Sequence, residues 1–117
     1  MIGESNHLAG LSAADSVGRD YISRGYRIAA RRYRGTGGEI DLIAARGEET
    51  IFIEVKKSRT HEAAMAHLGP RQIARIFATA AEFLGTLPKG QDSASRFDVA
   101  LVDQTGEVKV LENALTA

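Results

Sequence analysis

Cysteine is absent from all 117 residues, so neither a disulfide framework nor a thiolate metal site is available, and nothing calls for an oxidising compartment. No apolar stretch approaches the roughly 18 residues a membrane-spanning helix needs, and no basic segment leads into an apolar run as a secretory signal would. These absences point to the cytoplasm and away from membranes. Net charge is lacking as well. Fifteen basic residues balance 15 acidic ones, which argues against a protein that coats nucleic acid through bulk electrostatics alone. There are only two prolines, and no repeat or low-complexity tract interrupts the chain. What is present is an ordinary globular balance, 44% hydrophobic and 26% charged, in a length that suits one hydrophobic core. The expected organisation is a flexible N-terminus over residues 1–11 and a single domain over residues 12–117.

Ser12-Ala13-Ala14-Asp15 resembles a capping box, and Ala13, Ala14, Val17, Tyr21 and Ile22 recur at helical spacing up to Gly25. This predicts a first helix from Ser12 to Arg24. Tyr26 to Tyr33 reads as a strand that ends at Gly35-Thr36-Gly37-Gly38. That glycine run lacks the Gly-Lys-Ser/Thr of a phosphate loop, so it is expected to be a mobile turn. Glu39 to Ala45 and Ile51 to Lys57 are apolar-rich runs around Arg46-Gly47-Glu48-Glu49, and glycine at the first central position suits a two-residue type II′ hairpin turn. Pro70 fits the first position of a second helix, in which Ile73, Ile76, Phe77, Ala80, Leu84 and Leu87 form one apolar face. Phe97 to Val102 and Val108 to Leu111 close the chain as short strands. Together these elements predict an α/β fold, a central mixed sheet flanked by helices.

A Gly47-Glu48 loop pairs residues whose numbers sum to 95. Asp41 then faces Glu54, and Glu39 faces Lys56. Alternation puts Ile40, Leu42, Ala44, Ile51, Ile53 and Val55 on one face and Glu39, Asp41, Ile43, Phe52, Glu54 and Lys56 on the other. Two carboxylates with Cβ atoms about 5 Å apart repel each other, and Ile51-Phe52-Ile53-Glu54-Val55-Lys56 is too apolar for a solvated strand. A hard cation such as Mg²⁺, bound by carboxylates, water and phosphate oxygens, offsets that repulsion. The same arrangement suits phosphodiester hydrolysis, with Lys56 placed to act on the water or on phosphate charge. The alternative is a surface ion network of Asp41, Glu54, Lys56 and nearby arginines. Between Arg19 and Arg34, six arginines (Arg19, Arg24, Arg27, Arg31, Arg32, Arg34) face one acid, Asp20. This patch reads either as a phosphate-binding surface bordering the carboxylates or as a solvated face.

The run Gly37-Gly-Glu-Ile-Asp-Leu-Ile-Ala44 followed by Ile51-Phe-Ile-Glu-Val-Lys56 resembles the signature of the small bacterial YraN-like proteins, relatives of the archaeal Holliday junction resolvases. Gly25-Tyr26, Pro70-Arg-Gln72, Arg96-Phe-Asp-Val99 and Asn113-Ala114 extend the likeness from about Asp15 to Leu115. The resemblance implies a restriction-endonuclease-like PD-(D/E)xK core with Asp41, Glu54 and Lys56 as catalytic residues. It implies Mg²⁺ or Mn²⁺ held by Asp41, Glu54 and the backbone carbonyl of Val55. The family usually has a metal-binding glutamate in its first helix; Asp15 is the nearest acid here, and its position three after Ser12 is fully explained by a helix cap. Two residues, Lys57 and Ser58, separate Lys56 from Arg59, where the family usually has one residue between its lysine and arginine.

The resemblance further implies a nucleic-acid partner, DNA and branched DNA by analogy with the resolvases, contacted by Arg19, Arg24, Arg31, Arg32 and Arg34. It implies a homodimer, because cutting two strands symmetrically requires two sites. Glu39 and Gln72 are candidate supporting residues, Asp98 is expected to be structural, held by an arginine, and His7, His61 and His67 read as surface residues. Three readings remain: a metal-dependent endonuclease, a nucleic-acid-binding module that no longer cuts, and a structural or protein-interaction domain.

Overall fold

Apolar runs on either side of Gly47 build the central hairpin. The computed structural model describes residues 2–115, with side chains from residue 13 onward. In it β2 (Glu39–Arg46) and β3 (Glu49–Lys57) pair antiparallel from Arg46↔Glu49 to Leu42↔Ile53. The predicted register, with numbers summing to 95, therefore holds along this ladder. Gly47 has φ +60° and Glu48 does not take a positive φ, the combination that distinguishes type II′ from type I′.

β1 (Arg27–Arg34) pairs antiparallel with β2, β4 (Ser95–Val102) runs parallel to β3, and β5 (Val108–Leu111) is antiparallel to β4. The sheet order is β1-β2-β3-β4-β5, the mixed sheet expected. Its one parallel pair needs a crossover, supplied by α2 (His61–Met65) and α3 (Pro70–Leu84). Thr60 caps α2 by accepting from the Ala63 N–H, a helix too short to show a period in the sequence. α1 (Ile2–Ser23) begins well before Ser12. The side chains of the first 12 residues, and so the capping role of Ser12 and the reading of His7, lie outside the described residues. Residues 2–11, within the stretch expected to be flexible, form the first turns of α1. No helix among the described residues is long and apolar enough to cross a membrane.

Each face of the sheet carries its own core. Ala13, Val17 and Tyr21, spaced by four along α1, pack on Leu42, Ala44, Ile51 and Ile53. Ile76, Ala80 and Leu84 of α3 cover Ile40, Ile43, Phe52 and Val99 on the opposite face, where Phe52, Phe77 and Phe97 stack at 4.3–5.1 Å. Ile40 thus departs from the predicted alternation, which put it with Leu42 and Ala44. The break occurs in both strands at one level. Arg32, which stands between the pairs Arg31↔Leu42 and Tyr33↔Ile40, has φ +50°, and Tyr33 joins Ile40 on the α3 face.

The glycine turn is not loose. Glu82 of α3 accepts hydrogen bonds from the Thr36 N–H (3.0 Å) and hydroxyl (3.1 Å), which fastens the Gly35–Gly38 loop to the helix. On the other face Asp98, fully buried, accepts from the Tyr21 hydroxyl (2.6 Å), Arg96 (2.8 and 3.0 Å) and the Asn113 N–H (2.9 Å). One carboxylate thereby ties α1, β4 and the C-terminal segment together, the structural role expected for it. Removing a partner from a buried pair strands the other charge. Asp98→Ala should therefore lower the unfolding free energy in urea by about 3–5 kcal/mol, and Tyr21→Phe by only about 1–2 kcal/mol. A loss for Asp98→Ala no larger than that for Tyr21→Phe would show that the network is not a clamp.

Candidate metal and nucleic-acid site

The β2–β3 ladder stops at Leu42↔Ile53, one pair short of Asp41 and Glu54. Beyond it the two strands no longer share backbone pairs, and both acids line an open cleft of ≈ 460 Å³ roofed by α3. Asp41 Oδ2 accepts from the Val55 N–H at 2.8 Å, so the aspartate side chain takes over a β3 backbone donor. Glu54 is 4% exposed. Its Oε2 accepts from the Gln72 amide and lies 3.2 Å from Lys56 Nζ. Its Oε1 is buried and, among the described residues, has no hydrogen-bond partner.

Burial first, and the charge of Asp41 second, push the Glu54 carboxyl from its ordinary 4.5 up to about 8, against the opposing pull of Lys56. A buried oxygen without a donor, beside a second carboxylate, is a costly arrangement for the protein alone. Hard oxygen donors of this kind fit Mg²⁺ or Mn²⁺. Val55 lines the same cleft. The acids, the lysine and the glutamine expected together are therefore gathered.

Other candidates lie elsewhere. Asp15 is exposed on the α1 side of the sheet, 3.6 Å from Arg31, and does not line the cleft. Its helix turns Ala13 and Val17 inward, which leaves position 15 facing away. Arg31 is thereby held on the α1 side. Arg24 pairs with Asp20 (3.0 Å) and Glu112 (3.4 Å) and stacks on Tyr21, and Arg19 is exposed on α1; neither lines the cleft. Arg19 and Arg24, expected with some of Arg27 to Arg34 to border the carboxylates, therefore lie away from them. Arg32 and Arg34 do reach the rim, where they hold Glu39 at 3.3 and 3.0 Å. Glu39 was expected opposite Lys56. It pairs with Arg34, its β1 neighbour in the ladder, because β2 and β3 have parted by that level.

Arg75 is a cleft residue that pattern reading missed. The available signal was its position three residues after Gln72 on one helix. His61 is also no surface residue: it is partly buried, bonds the Glu107 carbonyl (3.0 Å), and gathers with Asp103 and Glu107. Asp103 Oδ1, however, is already satisfied by Thr105 and the Glu107 N–H, and the group stands apart from the cleft.

A family model described as "Uncharacterised protein family UPF0102" matches residues 15–102, a span that contains every residue of the cleft. Among curated relatives, a UPF0102 protein of Cereibacter sphaeroides is 56% identical over 117 residues, covering 100% of both chains. A UPF0102 protein of Ruegeria pomeroyi is 55% identical over 112 residues, 96% of this chain and 91% of the relative. A UPF0102 protein of Dinoroseobacter shibae is 42% identical over 106 residues, 91% of this chain and 79% of the relative.

The raised Glu54 carboxyl makes a signed prediction. Between its unfolded value of 4.5 and its folded value of about 8, the unfolded chain releases this proton while the folded chain keeps it. The Glu54 contribution is thus complete below the lower value and lost as pH rises through the upper one. In EDTA, the unfolding free energy of the parent should fall relative to Glu54→Gln by on the order of 2–4 kcal/mol between about pH 5 and about pH 9. A difference that stays flat across that range would mean Glu54 titrates normally.

Proposed function

The chain belongs to the uncharacterised protein family UPF0102, the YraN-like proteins its motifs resemble, and from that premise we propose that it is a metal-dependent nuclease. The reading gives it a restriction-endonuclease-like core, DNA as substrate (branched DNA by analogy with the resolvases), and a homodimer to cut two strands. It assigns the protein to the cytoplasm. The observation that carries it is the pair Asp41 and Glu54 in one cleft, with Lys56 beside them and a buried Glu54 Oε1 that has no hydrogen-bond partner among the described residues.

Asp41, Glu54 and the backbone carbonyl of Val55 would hold Mg²⁺ or Mn²⁺, which when bound supplies Lewis acidity and a water of lowered pKa. Gln72 fixes the Glu54 carboxylate through Oε2, so that Oε1 would be the oxygen available as a ligand. The Asp41–Val55 hydrogen bond holds the second carboxylate against β3. Lys56 Nζ lines the same cleft, 3.2 Å from Glu54 Oε2. It can orient the attacking water, take its proton when neutral, or counter charge growing on the phosphate oxygens.

A second reading has one observation in its favour: Asp15, the only first-helix acid proposed as a ligand, is paired with Arg31 away from the cleft. A module that binds nucleic acid without cutting fits that geometry.

A panel of branched, single-stranded and duplex substrates with Mg²⁺ and Mn²⁺ separates the two. The nuclease reading expects cleavage, lost in Asp41→Asn and Glu54→Gln, and reduced about 10²-fold or more in Lys56→Ala. Both metals should raise the parent melting temperature, by more at about pH 8 than at about pH 6, because a proton must leave Glu54 first. Lys56→Ala should keep that metal shift, and the two carboxylate variants should lose it. If neither metal shifts melting at millimolar concentration and Asp41→Asn destabilises the metal-free protein, the carboxylates form a structural ion network and the nuclease reading fails. Binding without cleavage would favour the module.

A further inference from the structure

Two cations line the cleft, and they differ in their commitments. Lys56 is engaged by Glu54 at 3.2 Å. Arg75 lines the α3 wall and, among the described residues, has no carboxylate within salt-bridge range and no side-chain hydrogen bond. Glu39, the acid on the rim, is already held by Arg32 and Arg34. Position i+3 puts Arg75 on the same helix face as Gln72, whose amide grips Glu54.

The stem of Arg75 is packed while its head is free. Gly38 lies so close that a Cβ there would sit 3.1 Å from Arg75 Cβ and 3.6 Å from the Arg75 carbonyl oxygen. The loop that makes this contact is itself fastened to α3 by the Glu82–Thr36 bonds. An arginine whose base is wedged between a helix and a pinned loop, and whose guanidinium stands exposed beside two carboxylates without pairing to either, is arranged for an anion that enters from solvent. The guanidinium fork matches phosphate oxygens two at a time. The place next to the carboxylates belongs to Lys56, so the anion on the rim is one step removed from the reacting group.

We propose that Arg75 holds a backbone phosphate next to the one being cut, and so acts as a positioning residue for the strand. This rests on the nuclease reading above. Arg71, exposed on the first turn of α3 and outside the cleft lining, is the natural comparison for unspecific loss of charge.

The test reads affinity as well as turnover. Dissociation constants for a labelled four-way DNA junction and a labelled duplex are measured in Ca²⁺ across a salt series, and cleavage is measured in Mg²⁺. Arg75→Ala should weaken binding about tenfold and flatten the slope of log Kd against log salt by about one. It should raise KM similarly and leave kcat and the melting temperature near the parent's. Arg75→Lys should restore the salt slope and only part of the affinity, since a point charge replaces the fork. Arg71→Ala should stay within about twofold of the parent. If the parent binds and cuts but Arg75→Ala matches Arg71→Ala, or loses kcat at unchanged KM, the Arg75 assignment is overturned and the nuclease reading stands. If the parent binds neither DNA, both are overturned.

Discussion

A two-residue turn at Gly47 and Glu48 leaves β2 and β3 one way to pair, and that register brings Asp41 level with Glu54. Side chains alternate with a period of two, so a slip of one residue would send Glu54 into the α1 core and Ile53 into the cleft. Apolar burial forbids the slip: Ile51 and Ile53 are fully covered on one face and Phe52 is covered on the other. The hydrophobic pattern of β3 thus holds its one buried acid in place.

Register alone would set two carboxylates directly across a regular ladder, and the chain avoids that geometry. The ladder ends one pair earlier, Asp41 turns its oxygen to the Val55 N–H, and Arg32 on the next strand adopts a left-handed conformation at the same level. A non-glycine residue there is strained, and such strain persists where the surroundings over-determine it. The strands part, a cleft opens between them, and α3 with its pinned glycine loop closes one wall. The cleft lies where the β2–β3 ladder stops, and both acids line it.

Glu54 is a buried acid whose demands are only partly met among the described residues. Lys56 and Gln72 offset part of the burial, yet its carboxyl is still driven up to about 8 and Oε1 finds no donor. Stability for this arrangement comes from elsewhere: the phenylalanine stack under α3, and the Asp98 clamp that joins α1, β4 and the C-terminal segment. Asp98 shows by contrast what a satisfied buried acid looks like, with both oxygens donated to by a hydroxyl, a guanidinium and a backbone amide.

The hairpin, its turn, the five strands and the apolar face of α3 were legible in the sequence because each follows from local spacing: a period of two, a period of 3.6, and a glycine where a primed turn needs one. The grouping of Asp41, Glu54 and Lys56 was legible for the same reason, since a short hairpin turns sequence distance into spatial distance by simple counting. Counting fails once pairing partners come from outside the hairpin. Ile40 changed faces at the level where Arg32 of β1 takes a left-handed conformation, and Glu39 took Arg34, its β1 partner in the ladder. Arg24 and Arg31 were drawn to Glu112 and Asp15, partners 88 and 16 positions away that no periodicity connects. Arg75 joined the cleft only because α3 packs across β2, a placement set by how the helix buries Ile76, Ala80 and Leu84. Local chemistry determined which residues could share a strand face; the packing of helices onto the two sheet faces decided which charges met.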